Sequence, residues 1–504
     1  MSMPAEHIRI SKNLGDLLQG LADAPAVEIT GIASDSRCLE RGFLFLACAG
    51  DRSHGLDYIE SAISAGVAAV AFDSDTATAP PTDVGLPMIA VPGLAKQLGT
   101  ISNRFYGSPS EKMGIVGVTG TNGKTTVAWL IAQCMNLLDR KCAYVGTLGA
   151  GIDEIAGGEG MTTPGAVELH GRLAELRDAG AEAAAIEVSS HALAQGRVDG
   201  ITFDTVLFTN LSRDHLDYHG DMQSYAEAKA KLFTEHRALH RIINLDSEFG
   251  VELASRCDQQ VVTVSTHFDR VANGRPYVFA RSVVAKDEGS LVCVSSSWGD
   301  GEINLPIPGD FNVANAVIVL AHLLLHGIDI DRACDLLSCV TAPPGRMQRV
   351  EAPDSLPAVY IDYAHSPGAI EVALRALRAH CKGRLWCVFG CGGDRDSGKR
   401  PLMAKAAERL ADRVVVTNDN PRLESPDQIV GQILDGFTDP DAVMVIEDRA
   451  AAIAWAIGEA DADDTILIAG KGHEDYQLIG GERLDFSDFG AARANLDALA
   501  EARK

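Results

Sequence analysis

The stretch Gly117-Val118-Thr119-Gly120-Thr121-Asn122-Gly123-Lys124-Thr125-Thr126 constrains this chain more than any other, because an apolar run (Met113 to Val118) leads into it and a helical pattern (Val127 to Leu138) leads out. Strand, glycine turn and helix in that order make a phosphate cradle. Backbone N–H groups of the turn and of the helix N-terminus converge on an anion, Lys124 reaches the terminal phosphates, and the Thr125 hydroxyl is a ligand for Mg²⁺. The general phosphate-loop pattern asks for glycine five places before Gly123, and Val118 stands there instead. What remains is the more particular Thr-Gly-Thr-Asn-Gly-Lys-Thr-Thr, and it predicts a chain that uses ATP.

A chain of 504 residues is too long for one ordinary core. From Ile29 to Arg104, short apolar runs (Phe43 to Ala47, Val67 to Phe72, Met88 to Val91) alternate with turn clusters, and Ala79-Pro80-Pro81-Thr82 reads as an exposed loop. From Met113 onward the β-type runs Ala183 to Val188, Thr205 to Thr209 and Arg241 to Leu245 are separated by helical patterns, the alternation of a mostly parallel sheet covered on both faces. Residues Val261 to Leu305 are rich in Val, Ser and Thr, which suggests a β-rich insertion or sheet edge. Thr341-Ala342-Pro343-Pro344-Gly345-Arg346 breaks any helix. A third alternation follows it, with runs at Ala358 to Ile361, Arg384 to Phe389, Arg413 to Thr417, Ala442 to Ile446 and Thr465 to Ala469. The expected class is α/β with three domains: a small N-terminal α/β domain (1–111), a central doubly wound P-loop domain (112–343) and a C-terminal Rossmann-like domain (344–504), with a hinge near Pro343.

The net charge of -25 argues against a sequence-independent hold on nucleic acid or anionic lipid, since that hold comes from clustered Lys and Arg. Phosphate must then be met locally, by backbone amides, a metal ion and a few placed cations. Eleven cysteines without a C-x-x-C pair suggest neither a disulfide framework nor a zinc ribbon. Met1 to Lys12 has no apolar h-region, and the apolar helix Val313 to Leu325 is too short and too polar to span a bilayer. A cytoplasmic protein without membrane insertion is expected.

Two further polar segments follow strands. Glu187 ends the run Ala183 to Val188 and precedes Ser189-Ser190-His191-Ala192-Leu193-Ala194-Gln195-Gly196-Arg197; the next run ends in Asn210-Leu211-Ser212-Arg213-Asp214-His215. Ligands in doubly wound sheets sit at the carboxyl ends of strands, so an acid there can hold a nucleotide's Mg²⁺. Taken alone, the first segment is equally an ordinary strand-to-helix loop. The acid and imidazole cluster also admits a zinc reading, but Zn²⁺ usually draws His or Cys from several elements, and Mg²⁺ beside a phosphate cradle suits it better.

With these residues in view, the chain resembles the Mur ligase family of ATP-dependent amide synthetases of peptidoglycan assembly. Its carriers are Gly120 to Thr126, the Glu187 strand end, Asp214-His215, Asn312 and Asn315 in Gly309-Asp310-Phe311-Asn312-Val313-Ala314-Asn315, Gly345-Arg346, and Asp362 in Asp362-Tyr363-Ala364-His365. A closer likeness, to the branch that adds the third residue of the stem peptide, is carried by Thr162-Thr163-Pro164, by Ser189 with Gln195 and Arg197, by Asp419-Asn420-Pro421-Arg422 and by Gly470-Lys471-Gly472-His473-Glu474-Asp475. The resemblance implies that Gly120 to Thr126, Asn312, Arg346 and Asp362 meet ATP. It implies Mg²⁺ on Thr125, Glu187, His215 and Lys229, the last as a carbamate in Tyr225-x-x-Ala228-Lys229. Lys124, Glu187, His215, Lys229 and Arg346 would carry the chemistry. Ser34, Ser36 and the loop Asp51-Arg52-Ser53 match positions for the uridine end of a UDP-MurNAc-L-Ala-D-Glu substrate, and Thr162, Thr163, Ser189, Gln195 and Arg197 match positions for its muramoyl dipeptide. Arg395, Asp419, Asn420, Pro421, Arg422, Gly470 and Glu474 match positions for meso-2,6-diaminopimelate. A monomer is expected.

The chemistry of the last set agrees. Meso-diaminopimelate differs from lysine by one carboxylate, and a planar guanidinium such as that of Arg422 pairs with it through two parallel hydrogen bonds, while Glu474 can accept from the distal ammonium. Asp419 to Arg422 can also be read as a plain turn after a strand. His473-Glu474 suggests a zinc protease only until Gln477 is found where the second His belongs. An amide ligase of this kind moves the γ-phosphoryl group of ATP onto the D-glutamate γ-carboxylate, and the amine then displaces phosphate from the acyl phosphate. Closure about Pro343 to Arg346 would exclude water. The rival readings are a lysine-adding sister, a folylpolyglutamate-type synthetase, and a nucleotide-binding regulator that performs no ligation.

Overall fold

A computed structural model describes residues 10–50, 53–77, 84–157, 160–257, 260–267, 274–286 and 288–503. Asp51 and Arg52 of the expected uridine loop, and the Ala79-Pro80-Pro81-Thr82 loop, lie outside the described residues. The chain divides into two compact units, residues 1–124 with 135–262 and residues 125–134 with 263–504.

The first unit opens with four parallel strands in the order Gly31–Ala33, Phe43–Ala47, Ala69–Asp73, Met88–Val91. Side chains alternate across a strand, so Leu44 and Leu46 face one core with Ile32, Ala69, Ala71 and Ile101, while Phe45 and Ala47 face another with Val67, Val70 and Phe72. Both faces are covered, which is why these strands read as unbroken apolar runs. The same unit carries a larger sheet whose parallel strands run in the order Cys142–Gly146, Ala183–Glu187, Gly114–Thr119, Phe203–Phe208, Ala238–Asn244. Glu187 pairs with Val118 and Phe208 with Thr119. That register brings three carboxyl ends level, and the segments after Thr119, Glu187 and Phe208 leave from the same edge.

The second unit has an antiparallel meander, Tyr277–Lys286, Gly289–Ser296 and Gly299–Leu305, where the sequence suggested a β-rich insertion. After the buried helix Asp310–Leu325 comes a six-stranded sheet in the order Gln348–Val350, Ala358–Asp362, Thr465–Ala469, Leu385–Phe389, Arg413–Val416, Met444–Val445; its first pair is antiparallel and the others are parallel. Here Asp362 pairs with Ala469, Ala469 with Phe389, and Phe389 with Val416. The four loops after these strands therefore emerge together.

Differences from the sequence reading are local. The strand Cys142–Gly146 has no counterpart in that reading, although it flanks Glu187. The run Ala442 to Ile446 shrinks to Met444–Val445, because Pro440 opens a short 3-10 turn and brings no N–H to a ladder. The phosphate-loop helix begins at Lys124 rather than Val127. Among the described residues no helix is long and apolar enough to cross a membrane.

Candidate active site

The phosphate loop is held from the side by the neighbouring strand end. Thr121 N donates to Asn210 O (2.9 Å), Asn122 N donates to Asn210 Oδ1 (3.0 Å), and the Thr209 hydroxyl donates to Asn122 O (2.6 Å). Gly120 has φ +147°, and a Cβ there would lie 1.9 Å from Thr209 Oγ1. Only glycine fits. The Thr121 hydroxyl donates to Ser212 O (3.2 Å) and meets the Tyr225 hydroxyl at 3.1 Å, which ties the loop to the segment carrying Asp214 and His215 and to the helix Met222–Thr234. The loop and the Asn210 segment are thus joined by direct hydrogen bonds.

Lys124 Nζ donates to Gly120 O (3.0 Å) and Thr121 O (2.9 Å), curling over the loop it serves. Lys229 Nζ donates to the same Gly120 oxygen from the helix side, at 2.8 Å, and lies 4.4 Å from the Tyr225 ring centroid. Only 1% of Lys229 is exposed. Burial first, and the Lys124 ammonium second, hold the Lys229 amine well below its ordinary range, with Asp214 opposing them. A helix lysine would ordinarily be solvated, and this one is a desolvated amine beside a phosphate cradle. Lys231, two places further along the helix, is half-buried.

Glu187 is 1% exposed. Its Oε1 accepts from the Tyr144 hydroxyl and from Thr147 N (3.0 Å), and its Oε2 accepts from the Thr147 hydroxyl (3.3 Å). The strand missing from the sequence reading supplies Tyr144, and Thr147 follows that strand directly; the signal was the run Cys142-Ala143-Tyr144-Val145. The residues expected at the muramoyl dipeptide collect on the same strand end. Thr163 Oγ1 donates to Glu187 O (2.7 Å) and accepts from Ser189 N (3.0 Å), Thr162 Oγ1 meets Thr147 Oγ1 (3.2 Å), and Ser189 caps the helix Ser190–Ala194 by accepting from Ala192 N (3.1 Å). Arg197 donates to Thr163 O (2.8 Å) and to Gln195 Oε1 (2.9 Å), and Gln195 donates to the Tyr218 hydroxyl (3.0 Å).

His215 has φ +51° at the start of the turn Leu216–His219, and its ring packs 4.9 Å from that of His191. Burial lowers the proton affinity of His191 and His219, and neighbouring cations add to it. In its own domain, Ser34 lies exposed just past the strand Gly31–Ala33 and Ser36 opens a turn capped by Asp35, at the carboxyl edge of the four-stranded sheet.

Among the described residues no group of three or more His, Cys, Asp and Glu is placed to hold a metal ion. The set expected for Mg²⁺ contains one carboxylate, Glu187, and one imidazole, His215, with a threonine hydroxyl and Lys229. Its donor chemistry suits a hard cation only if Lys229 becomes a carbamate, and burial disfavours the ammonium relative to the neutral amine, the form that takes up CO₂. On that condition the residues fit.

In the second unit, Asp362 accepts from Met347 N (2.8 Å) and Ala364 N (2.9 Å). Burial raises the Asp362 carboxyl against the pull of Arg346. The Arg346 guanidinium lies 4.7 Å from the Tyr363 ring centroid, and Arg346 Nε has no hydrogen-bond partner among the described residues. Gly345 has φ +67°, and a Cβ there would lie 2.1 Å from His473 N, so the residue before Arg346 is pressed onto the Gly472-His473 loop. Asn312, in the first turn of its helix, donates to Pro308 O (2.8 Å).

The residues expected at diaminopimelate converge at the level strand ends. Asn420 Nδ2 donates to Glu474 Oε2 (2.8 Å). Gly470, with φ +119°, approaches Asp419 so closely that a Cβ would lie 2.5 Å from Asp419 Oδ2. Arg422 takes the left-handed conformation (φ +57°), its N donates to Leu478 O (2.8 Å), and its guanidinium donates to Gly393 O (2.6 Å). A Cβ on Gly392 would lie 2.9 Å from the Arg422 guanidinium and 3.8 Å from Arg395 Cγ, so both arginines border that glycine, with Arg395 exposed. Two charged groups here were given no role from the sequence. Buried Arg400 pairs with Glu424 (2.6 Å) and holds its carboxyl down at about 2, and Lys471, 0% exposed, reaches Asn420 and Glu474. Both were written in the sequence, Lys471 inside Gly470-Lys471-Gly472, but no period marks a charge as buried.

A phosphate loop at one parallel sheet edge, and a polar cluster at the edge of a second sheet, make this a P-loop α/β protein. Three segments match Mur ligase descriptions: residues 28–106 the Mur ligase family catalytic domain, residues 118–323 the Mur ligase middle domain, and residues 345–472 the Mur ligase glutamate ligase domain. The chain is 46% identical over 476 residues to the UDP-N-acetylmuramoyl-L-alanyl-D-glutamate--2,6-diaminopimelate ligase of Pseudomonas putida, covering 93% of this chain and 95% of that protein. It is 45% identical over 485 residues to the ligase of the same name from Xanthomonas campestris pv. campestris, covering 95% and 96%. A solved structure of a ligase of that name superposes with TM-score 0.71 at 33% identity, over 97% of this chain and 99% of the other. The chain belongs to the Mur ligase family and has that family's three-domain α/β architecture. It is an ATP-dependent, ADP-forming amide ligase.

Proposed function

We propose that this enzyme joins meso-2,6-diaminopimelate to the D-glutamate γ-carboxylate of UDP-MurNAc-L-Ala-D-Glu, with ATP passing to ADP and phosphate. The observation that carries the reading is the convergence of Arg422, Arg395, Asn420 and Glu474 at one sheet edge. Two guanidiniums and one carboxylate suit an amino-acid end that bears both carboxylate and ammonium. The likeness to ligases named for this reaction, at 45–46% identity over most of the chain, supports it.

On this reading a free carboxylate, a poor electrophile, takes the γ-phosphoryl group of ATP. The carboxylate oxygen bonds to phosphorus as the bridging bond to ADP breaks. The amine then attacks the acyl carbon, loses a proton, and phosphate leaves with the bond pair. Lys124 and the amides of Gly120 to Thr126 offset charge as phosphoryl moves. Asn312, Arg346 and Asp362 contact the nucleotide. Thr162, Thr163, Ser189, Gln195 and Arg197 orient the dipeptide, and Ser34 and Ser36 take the uridine end. Mg²⁺ would be held by Thr125, Glu187, His215 and the Lys229 carbamate, and when bound it neutralises phosphate charge. The chain acts as a cytoplasmic monomer with domains 1–111, 112–343 and 344–504.

The test uses purified protein with ATP, Mg²⁺ and UDP-MurNAc-L-Ala-D-Glu, measuring ADP formation against a panel of amino acids. Diaminopimelate should be preferred, and an enzyme that prefers lysine overturns the reading.

A further inference from the structure

Resting on that reading, we propose that Lys471 is a positioning residue for amino-acid selection: its buried ammonium aims the Glu474 carboxylate and the Asn420 amide at the incoming substrate. Lys471 Nζ donates to Asn420 Oδ1 (3.0 Å) and to Glu474 Oε2 (3.1 Å), and Asn420 Nδ2 donates to that same Glu474 oxygen (2.8 Å), which closes a triangle. Lysine is almost never fully buried unless paired, and 0% of this one is exposed. The Tyr476 ring centroid lies 5.4 Å from the ammonium, which both of its hydrogen bonds turn inward. The ammonium is therefore an internal part rather than a ligand contact.

The triangle decides which atoms face outward. Asn420 Oδ1 accepts from Lys471 and from Leu478 N (3.0 Å), so the amide is orientated with its nitrogen toward Glu474. Glu474 Oε2 already accepts twice, which directs Oε1 to the substrate ammonium. The Glu474 side chain is 19% exposed, in contact with solvent where Lys471 is not. A carboxylate held by two internal donors keeps its geometry before substrate arrives, and such preorganisation favours a ligand that fits it over one that does not. Lys471 also follows Gly470, whose left-handed backbone brings the loop against Asp419. One short segment thus sets Asp419, Asn420 and Glu474 together.

The test compares wild type with Lys471→Met and Lys471→Gln by steady-state kinetics on the full-length protein, varying diaminopimelate, lysine, ATP and UDP-MurNAc-L-Ala-D-Glu in turn. Lys471→Met should raise the KM for diaminopimelate roughly ten- to a hundredfold, the size of a lost hydrogen bond to a charged group, and leave the KM for ATP within about twofold. The preference for diaminopimelate over lysine should narrow. Lys471→Gln keeps a donor and should recover part of the loss. An equal rise in all three KM values, or no rise in that for diaminopimelate, overturns the proposal by showing a merely structural or idle lysine. If Lys471→Met does not fold, Lys471→Gln decides by the same split between substrates. Wild type without diaminopimelate-dependent ADP formation removes the functional reading and this inference with it, whereas an active wild type with unchanged variants removes the inference alone.

Discussion

The phosphate loop and the loops proposed to take the amino acid both lie at the carboxyl edges of parallel strands, yet they are built on opposite plans. The first is seven consecutive residues, Gly120 to Thr126, shaped by backbone: Gly120 exists in its conformation because a Cβ would strike Thr209, and the loop's main-chain atoms Thr121 N, Asn122 N, Gly120 O, Thr121 O and Asn122 O are each held by a hydrogen bond. The second is gathered from three loops spread between Arg395 and Glu474, and its geometry rests on side-chain charge pairs, Arg400 with Glu424 and Lys471 with Glu474. A general reagent such as triphosphate can be met by backbone amides, which carry no preference beyond charge and shape. Choosing one diamino acid requires placed charges, and these must be held by other charges.

If that contrast is right, the largest loss comes from the one side-chain charge of the contiguous site. Lys124→Ala should lower turnover about a thousandfold or more, since it removes the cation at the transferring phosphoryl group. The affinity for UDP-MurNAc-L-Ala-D-Glu, measured by calorimetry, should stay near wild type. Near-normal ADP release in this variant would end the assignment of the loop.

Arg422→Ala should act on one substrate only. Its guanidinium is half-buried, and removing a member of a partly desolvated charge pair costs roughly thirtyfold to several hundredfold. The rise should appear in the KM for diaminopimelate and not in those for ATP or the UDP-substrate. A uniform effect on all three would mean that Arg422 only supports the loop through Gly393 O.

These two sites were not equally legible. The P-loop was read from the chain directly because strand, turn and helix follow one another and each has its own period. Strands in both sheets were placed to within a few residues for the same reason. The short strand Cys142–Gly146 escaped, and with it Tyr144, the hydroxyl that meets Glu187. Five apolar residues between polar turns are common. At the amino-acid edge, the sequence offered Arg422 and Glu474 through resemblance, but burial of Lys471 and Arg400 depends on which strands become neighbours, and pairing Phe389 with both Ala469 and Val416 is a long-range fact that no local window holds.

Lys229 probes the border between the plans, since it is a side-chain charge serving the backbone-built site. Lys229→Ala should reduce turnover about ten- to a hundredfold, as loss of a metal-site group does. Burial and Lys124 lower the amine's proton affinity, so the neutral form that reacts with CO₂ grows as pH rises, and carbamate occupancy by intact mass under native conditions should rise from pH 6.5 to pH 8.5 and fall when dissolved CO₂ is removed. An unmodified lysine at every pH, with unchanged activity on substitution, would leave the site without its second anion.

The smallest expected effect tests the scaffold behind the amino-acid loops. Arg400 is 0% exposed and its guanidinium reaches both Glu424 oxygens (2.6 and 2.7 Å), the Gln432 side chain (2.7 Å) and Gly392 O (3.2 Å). The Glu424 carboxyl, held at about 2 against an ordinary 4.5, is charged in the folded protein well below the pH at which the unfolded chain takes its proton. Its contribution is therefore complete above about pH 4.5 and is lost as pH falls through about 2. Glu424→Gln keeps the shape and removes the charge, and should lower unfolding free energy at pH 7 by ~1.5 kcal/mol, the lower end for a hydrogen bond to a charged group, because the glutamine oxygen still accepts. The difference from wild type, followed by urea melts, should shrink as the solution is acidified. Since Glu424 Oε2 also accepts from Asp394 N (3.0 Å), next to Arg395, the KM for diaminopimelate should rise slightly even where the protein is fully folded. A stability difference that does not diminish below pH 4.5 would show that packing, rather than the charge pair, holds these loops, and the contrast with the backbone-built phosphate site would lose its physical basis.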